Sequence, residues 1–170
     1  MWDRTLWLLC VLLLSGCSVV PEVGVDDSRL AKAEDSRYQS AKTDAIAAVI
    51  VRNKETGVEE YIGETTVVYL SDFNFSPNEF RFKSGTVTRI RLKNVAWVTH
   101  YFGGKEFFAE GADIVNILGS KIPSQQHVPA SPYVTRDLYL YIKKPGEYPL
   151  SCFVPNHRIE GMTGRLIVEP

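Results

Sequence analysis

Thr88-Arg89-Ile90-Arg91-Leu92-Lys93-Asn94 alternates between two sets of side chains. Thr88, Ile90, Leu92 and Asn94 fall on one side, and Arg89, Arg91 and Lys93 on the other. Successive side chains of a strand point to opposite faces, so this period of two marks a strand with one buried face. The same pattern extends outward from there. Upstream, Thr65 to Ser71 is a β-branched run, Phe73 and Phe75 alternate with polar residues, and Ser76-Pro77-Asn78 breaks the chain. Phe80 and Phe82 then alternate with Arg81 and Lys83 before a turn at Ser84-Gly85. Downstream, Leu138, Leu140 and Ile142 alternate with Tyr139 and Tyr141, Pro145-Gly146 marks a turn, and two last strands are expected over 147–152 and 163–168. Many short strands separated by turn signals predict an all-β antiparallel sandwich.

Two regions depart from this pattern. Residues 103–133 hold Gly, Pro, Ser and Gln with scattered aromatics, and read as a long insertion. It has room for a short helix among Phe107, Phe108, Ile114, Val115, Ile117 and Leu118. At the other end, residues 45–52 are rich in Ala, Val and Ile and read as a strand, returned over 58–63 after a turn at 54–57. Residues 18–43 are polar and charged and read as a tether, with weak helical character between Ser28 and Ala41.

The N-terminus carries Arg4, an apolar run from Leu6 to Leu14, and then Ser15-Gly16-Cys17. A short apolar run after an early positive charge is an export-signal pattern. The run is shorter than the roughly 20 residues that a spanning helix needs. Leu14-Ser15-Gly16-Cys17 resembles the lipobox of bacterial lipoproteins, which implies cleavage before Cys17 and lipidation of its thiol. A plain secretory signal cleaved near Gly16 and a short membrane anchor are the other readings. The expected organisation is a signal over 1–16, a lipidated Cys17 with its linker over 17–43, and one domain over 44–170. The formal net charge of −1 lacks the basic excess of a nucleic-acid binder.

The chain has three Cys, three His and two Met. Cys10 lies in the export signal and Cys17 at its end, so Cys152 alone remains for the domain. A lone thiol outside the cytoplasm has no intramolecular disulfide partner, and is an inert buried residue, a reactive group or a metal ligand. Its surroundings select among these. Cys152, His157 and Met162 form Cys-x4-His-x4-Met in the connection between the last two strands, and His100 follows the strand that ends near Asn94. A trigonal His2Cys set with a weak axial Met is the ligand pattern of a blue-copper centre. Singly, each residue reads more simply as core or surface; their order and spacing together point to one copper ion held by His100, Cys152, His157 and Met162.

From about residue 65 onward the chain resembles the cupredoxin family. Val67-Val68-Tyr69-Leu70 with Phe73-Asn74-Phe75-Ser76-Pro77 resembles the first cupredoxin strand and its aromatic-Pro turn. Lys83-Ser84-Gly85-Thr86-Val87 resembles the Gly-Thr-Val strand entry, and Pro145-Gly146-Glu147-Tyr148 the turn before the Cys. The Cys-x4-His-x4-Met spacing is similar to that of rusticyanin and sulfocyanin. His100-Tyr101-Phe102 with Glu106-Phe107-Phe108 resembles a group of bacterial periplasmic copper-binding proteins. The resemblance implies a cupredoxin-like Greek-key β-sandwich, a type 1 copper, and one-electron transfer between extracytoplasmic redox partners. Copper storage, delivery or copper-enzyme assembly, with copper acceptors as partners, is the alternative. A site with four protein ligands leaves no place for a substrate, so no enzyme is expected. The implied location is periplasmic, lipid-anchored to a membrane, with Ser18 after Cys17 favouring the outer one.

Three positions depart from better-known members. Tyr101 follows the first His ligand where Asn or Ser is frequent, Asn156 stands where Gly is frequent, and the 103–133 insertion is long. Asn tolerates a positive φ, so the turn at Asn156 is expected to survive. Trp97 is expected to pack near the site, His127 to face solvent, and Phe107 and Phe108 to pack in the core or as a lid.

Overall fold

The computed structural model describes residues 27–116 and 127–170. The export signal and Cys17 lie outside the described residues. The fold is the expected β-sandwich of two five-stranded sheets, covered on one side by a helix. In chain order the elements are α1 (Asp27–Val49), β1 (Ile50–Arg52), β2 (Glu59–Tyr61), β3 (Thr65–Ser71), β4 (Asn74–Ser76), β5 (Glu79–Lys83), β6 (Val87–Asn94) and β7 (His100–Gly103). A π-helical turn (Phe107–Gly111), β8 (Ala112–Ile114), β9 (His127–Ala130), β10 (Thr135–Ile142), β11 (Gly146–Ser151) and β12 (Thr163–Glu169) complete it.

One sheet runs β4-β3-β6-β10-β8 and the other β5-β12-β11-β7-β9, while β1 and β2 form a separate hairpin. Most neighbours are antiparallel, as the sequence predicts. Two are not: β3 pairs with β6, and β12 with β5, in parallel. The crossovers behind these pairs join the sheets, and the strand-to-strand alternation that predicts each strand carries no information about its partner's direction.

The alternation in β6 survives intact. Thr88, Ile90, Leu92 and Asn94 are buried, whereas Arg89, Arg91 and Lys93 are part-exposed. Ile90 and Leu92 meet Leu138, Leu140 and Ile142 of β10, Val68 and Leu70 of β3, and Phe80, Phe82 and Leu166 of the facing sheet in one core. Burying a side chain of this size contributes about 1.5–3 kcal/mol. From Leu138 to Ile142 both faces of β10 are buried, because Tyr139 and Tyr141 point outward under α1 rather than into water.

The helix corrects the reading of the N-terminal segment. Residues 45–49, expected to begin a strand, are the last turns of α1, and only Ile50–Arg52 is extended. Ala45-Ile46-Ala47-Ala48-Val49 is apolar enough for either state, and its alanines are strong helix formers. Ala45, Ile46 and Val49 pack beside Val87, Tyr61, Tyr139 and Tyr141, and Tyr38 meets Tyr141 edge to face at 5.7 Å. The helix thus closes the outer face of the β6–β10 pair. Among the described residues no helix is long and apolar enough to cross a membrane.

A carboxylate latches α1 to the insertion. Asp113 of β8 accepts hydrogen bonds from the Tyr38 hydroxyl and from Lys42 Nζ (2.7 Å), and pairs with Lys143 Nζ (2.8 Å). Burial pushes the Asp113 carboxyl up, but the bonds from Lys143, Lys42 and Tyr38 outweigh it and bring the pKa down to about 2. A depressed carboxyl stabilises the fold above its unfolded pKa, and that contribution fades as pH falls from about 3.8 towards about 2. Asp113→Asn should therefore lower unfolding free energy by about 2 kcal/mol at neutral pH. The gap from wild type should close on acidification through that window. Urea titrations at stepped pH measure it, and parallel wild-type and variant curves would refute the latch.

Candidate metal centre

His100, Cys152 and His157 come together at the end of the sandwich where β3, β6, β7 and β11 are joined to loops. Their ligand atoms all lie within 4.8 Å of one another. His100 opens β7, and Cys152 follows the last residue of β11. The two strands are tied by the Ser151–Gly103 pair, which holds the thiol and the first imidazole in register. Glycine lets the Phe153 ring lie over this pair: a Cβ at Gly103 would displace the ring and crowd the Ser151 carbonyl.

The loop from Cys152 to Met162 is closed at its base. The Cys152 N–H donates to the Met162 carbonyl (3.1 Å), and the Met162 N–H to the His157 carbonyl (2.8 Å). Inside the loop His157 N–H reaches the Val154 carbonyl (3.2 Å) and Glu160 N–H the Asn156 carbonyl (2.9 Å). Asn156 takes φ of 69°, the left-handed conformation that its side chain was expected to tolerate. The loop is therefore hydrogen-bonded to itself and short of slack. Met162 is fully buried at the loop's foot.

The donor geometry can be tested against a metal ion. Cys152 Sγ lies 4.0 Å from Nδ1 of His100 and 3.7 Å from Nδ1 of His157. With nitrogen and sulfur bonds of about 2.0 and 2.3 Å, as first-row ions form, a trigonal angle requires a separation of about 3.7 Å. Both imidazoles turn the same nitrogen to the sulfur, and their rings lie 5.0 Å apart. The set fits one ion at its centre, and a thiolate with two imidazoles is the donor set that suits type 1 copper. Cys152 is 2% exposed, and His100 fully buried, while His157 is half-buried and forms the open side.

The thiol has a second partner. The Tyr101 backbone N–H donates to Cys152 Sγ (3.4 Å). The thiolate's hydrogen bond thus comes from the main chain, and the Tyr at this position leaves it in place. Burial pushes the His100 pKa down, the neighbouring His157 pushes the same way, and Asp72 opposes both. The net effect favours neutral imidazole, the form that binds a metal.

Two expectations about the surroundings fail. Trp97 does not pack against the centre; it is 72% exposed. Its loop is anchored instead by buried Asn94, whose amide donates to the Val98 (2.7 Å) and Ala130 (2.9 Å) carbonyls and whose carbonyl accepts the Ala96 N–H (2.9 Å). That network fixes the entry to His100 without need of an indole. His127 is not a solvated residue of a loose loop. It opens β9, which pairs with β7, and its ring meets Tyr101 at 5.0 Å and Phe153 at 5.2 Å. Phe107 and Phe108 are core residues, as expected. The insertion supplies edge strands to both sheets and so belongs to the fold.

Asp72 and Phe73 escaped the sequence reading. They form the turn between β3 and β4, where Asp72 Oδ1 comes within 3.3 Å of His100 Nε2 and the Phe73 ring meets His157 edge-on at 5.1 Å. The available signal was the Asp-Phe pair in a short interruption between two strands, which spacing alone does not connect to a distant His.

No family profile matches the chain, and no curated protein matches it. Among solved structures it is similar to a reduced auracyanin from Roseiflexus castenholzii, with 16% identity over 64% of this chain and 98% of that one, at a TM-score of 0.48. Auracyanin A from Chloroflexus aurantiacus gives 20% identity over 62% and 98%, at 0.45. The McoA multicopper oxidase of Aquifex aeolicus gives 13% identity over 71% of this chain but only 31% of the oxidase, at 0.49.

Proposed function

We propose that the protein binds one copper ion through His100, Cys152, His157 and Met162 and passes single electrons between extracytoplasmic redox partners. The observation that carries this reading is the convergence of two imidazole nitrogens on a buried thiol at 4.0 and 3.7 Å. The chemistry that bound copper supplies there is one-electron exchange. The chain's own contribution is to hold the donors still. Cys152 and His100 are fixed by the β7–β11 pair, and His157 by a self-bonded loop, so little movement accompanies a change of charge. Met162, buried where the loop closes, is the proposed weak axial ligand. His157, half-buried, is the proposed point of electron entry and exit. Phe73, itself exposed, lies against its ring.

Cys17 is the proposed lipid anchor, tethering the domain to a membrane, the outer one favoured, in the periplasm. Copper storage or delivery is the competing function, and the same sample separates the two. Copper(II)-loaded protein should show an intense blue thiolate-to-copper absorption and the narrow hyperfine splitting of a type 1 centre in EPR. A colourless copper(II) form that yields its ion rapidly to a chelator would overturn electron transfer in favour of delivery.

A further inference from the structure

The β3–β4 turn touches both imidazoles. Ser71 pairs with Asn74, so Asp72 and Phe73 alone make the reversal. Phe73 holds φ of 61°, a left-handed conformation that a bulky residue adopts only where its surroundings impose it. The result is that its ring lies against His157 while the carboxylate before it lies against His100.

His100 explains why this carboxylate matters. The ring is fully buried, and its Nε2 has no hydrogen-bond partner among the described residues. Asp72 Oδ1 is 3.3 Å away, at an angle that does not yet make a hydrogen bond. A buried polar nitrogen left without a partner is costly. Asp72 is 45% exposed at the tip of a turn, and a small rotation of its side chain completes the bond. The other nitrogen of the ring, Nδ1, already faces Cys152 Sγ. An imidazole can offer its lone pair from Nδ1 only when its proton sits on Nε2.

We propose that Asp72 is a positioning residue of the metal centre: its carboxylate accepts the Nε2–H of His100, fixes the tautomer whose Nδ1 lone pair faces Cys152, and sets a negative charge beside that ligand. This rests on the copper reading above. Outer carboxylates of this kind orient a ligating His and raise its basicity. The added negative charge favours the more highly charged state of a bound metal, so Asp72 holds the reduction potential down.

The test uses the domain without metal and with copper, in wild type, Asp72→Asn and Asp72→Ala. Without metal, NMR of the imidazole nitrogens should show His100 protonated at Nε2 in wild type. That preference should persist in Asp72→Asn, whose amide oxygen still accepts, and weaken in Asp72→Ala. With copper, Asp72→Ala should bind copper(II) about tenfold more weakly, the low end of the cost of losing an outer partner because Asp72 is half-exposed. If copper(I) affinity is unchanged, a tenfold loss is a rise of about 59 mV in potential. Asp72→Asn should also raise the potential, because it removes the charge while keeping the acceptor. A merely structural turn residue would change stability and leave tautomer and potential alone. Wild-type His100 protonated at Nδ1, or copper uptake with no change of potential in Asp72→Ala, would overturn this inference alone. A wild-type protein that takes up no copper would overturn the copper reading and this inference with it.

Discussion

Cys152→Ala should remove the blue absorption of the copper-loaded protein completely while leaving the sandwich folded. The band requires a thiolate bound to the ion, and Cys152 is the one free cysteine among the described residues. Copper(II) affinity should fall by more than the roughly 10–100-fold that follows loss of an outer partner, because a primary donor is lost. Stability should fall by only about 1 kcal/mol, near the centre of the range for single substitutions. The structural reason is that the backbone bonds at this position do not involve sulfur. Cys152 N–H donates to the Met162 carbonyl, and Ser151 remains paired with Gly103. Alanine keeps both. The Tyr101 N–H does lose its acceptor, but Tyr101 is not fully buried and water can replace the sulfur. Absorption and EPR measure the first effect, and urea unfolding the second. A variant that stays blue would remove Cys152 from the centre.

What the sequence made legible is what is local. β6 reads as a strand because one of its faces is in the core, so every second residue is apolar or small. Cys152 and His157 read as a unit because one short loop delivers both. Asn156 reads as a turn residue because its φ depends on its own side chain. The illegible parts depend on partners. Asp72 reaches His100 only because β3 lies parallel beside β6, and that register brings the β3–β4 turn to the end where β7 begins. His127 leaves the solvent only because β9 pairs with β7 and lays its ring on Tyr101 and Phe153. Residues 45–49 are helical because Ala45, Ile46 and Val49 find an apolar sheet face to cover. Trp97 shows the opposite: nearness in sequence to His100 does not bring nearness in packing, because Asn94 does the anchoring there.

Phe102→Ala should reverse the pattern expected of Cys152→Ala: a large loss of stability with the absorption band retained. Phe102 is fully buried on β7, two positions after His100 and on the same inward face. Its ring meets Phe75 of β4 edge to face at 6.1 Å and Phe80 of β5 at 5.9 Å. It therefore ties the strand that carries the first imidazole to strands in both sheets. Truncating a buried Phe costs about 3–5 kcal/mol, because contacts are lost and the cavity collapses only partly. The four proposed donors remain in the sequence, so copper should still bind and the band should still form. Affinity should nevertheless fall, because β7 is free to relax toward the cavity and Nδ1 of His100 moves with it. A ligand that binds only the folded state stabilises it by about 4 kcal/mol at a thousandfold excess over its dissociation constant. The variant should consequently gain less from saturating copper than wild type does at the same concentration. Paired unfolding curves, metal-free and copper-saturated, measure the coupling directly. Equal copper stabilisation in both proteins would show that the aromatic core and the metal centre are energetically independent, and that the strand pairing of β7 and the Asn94 network position His100 without Phe102.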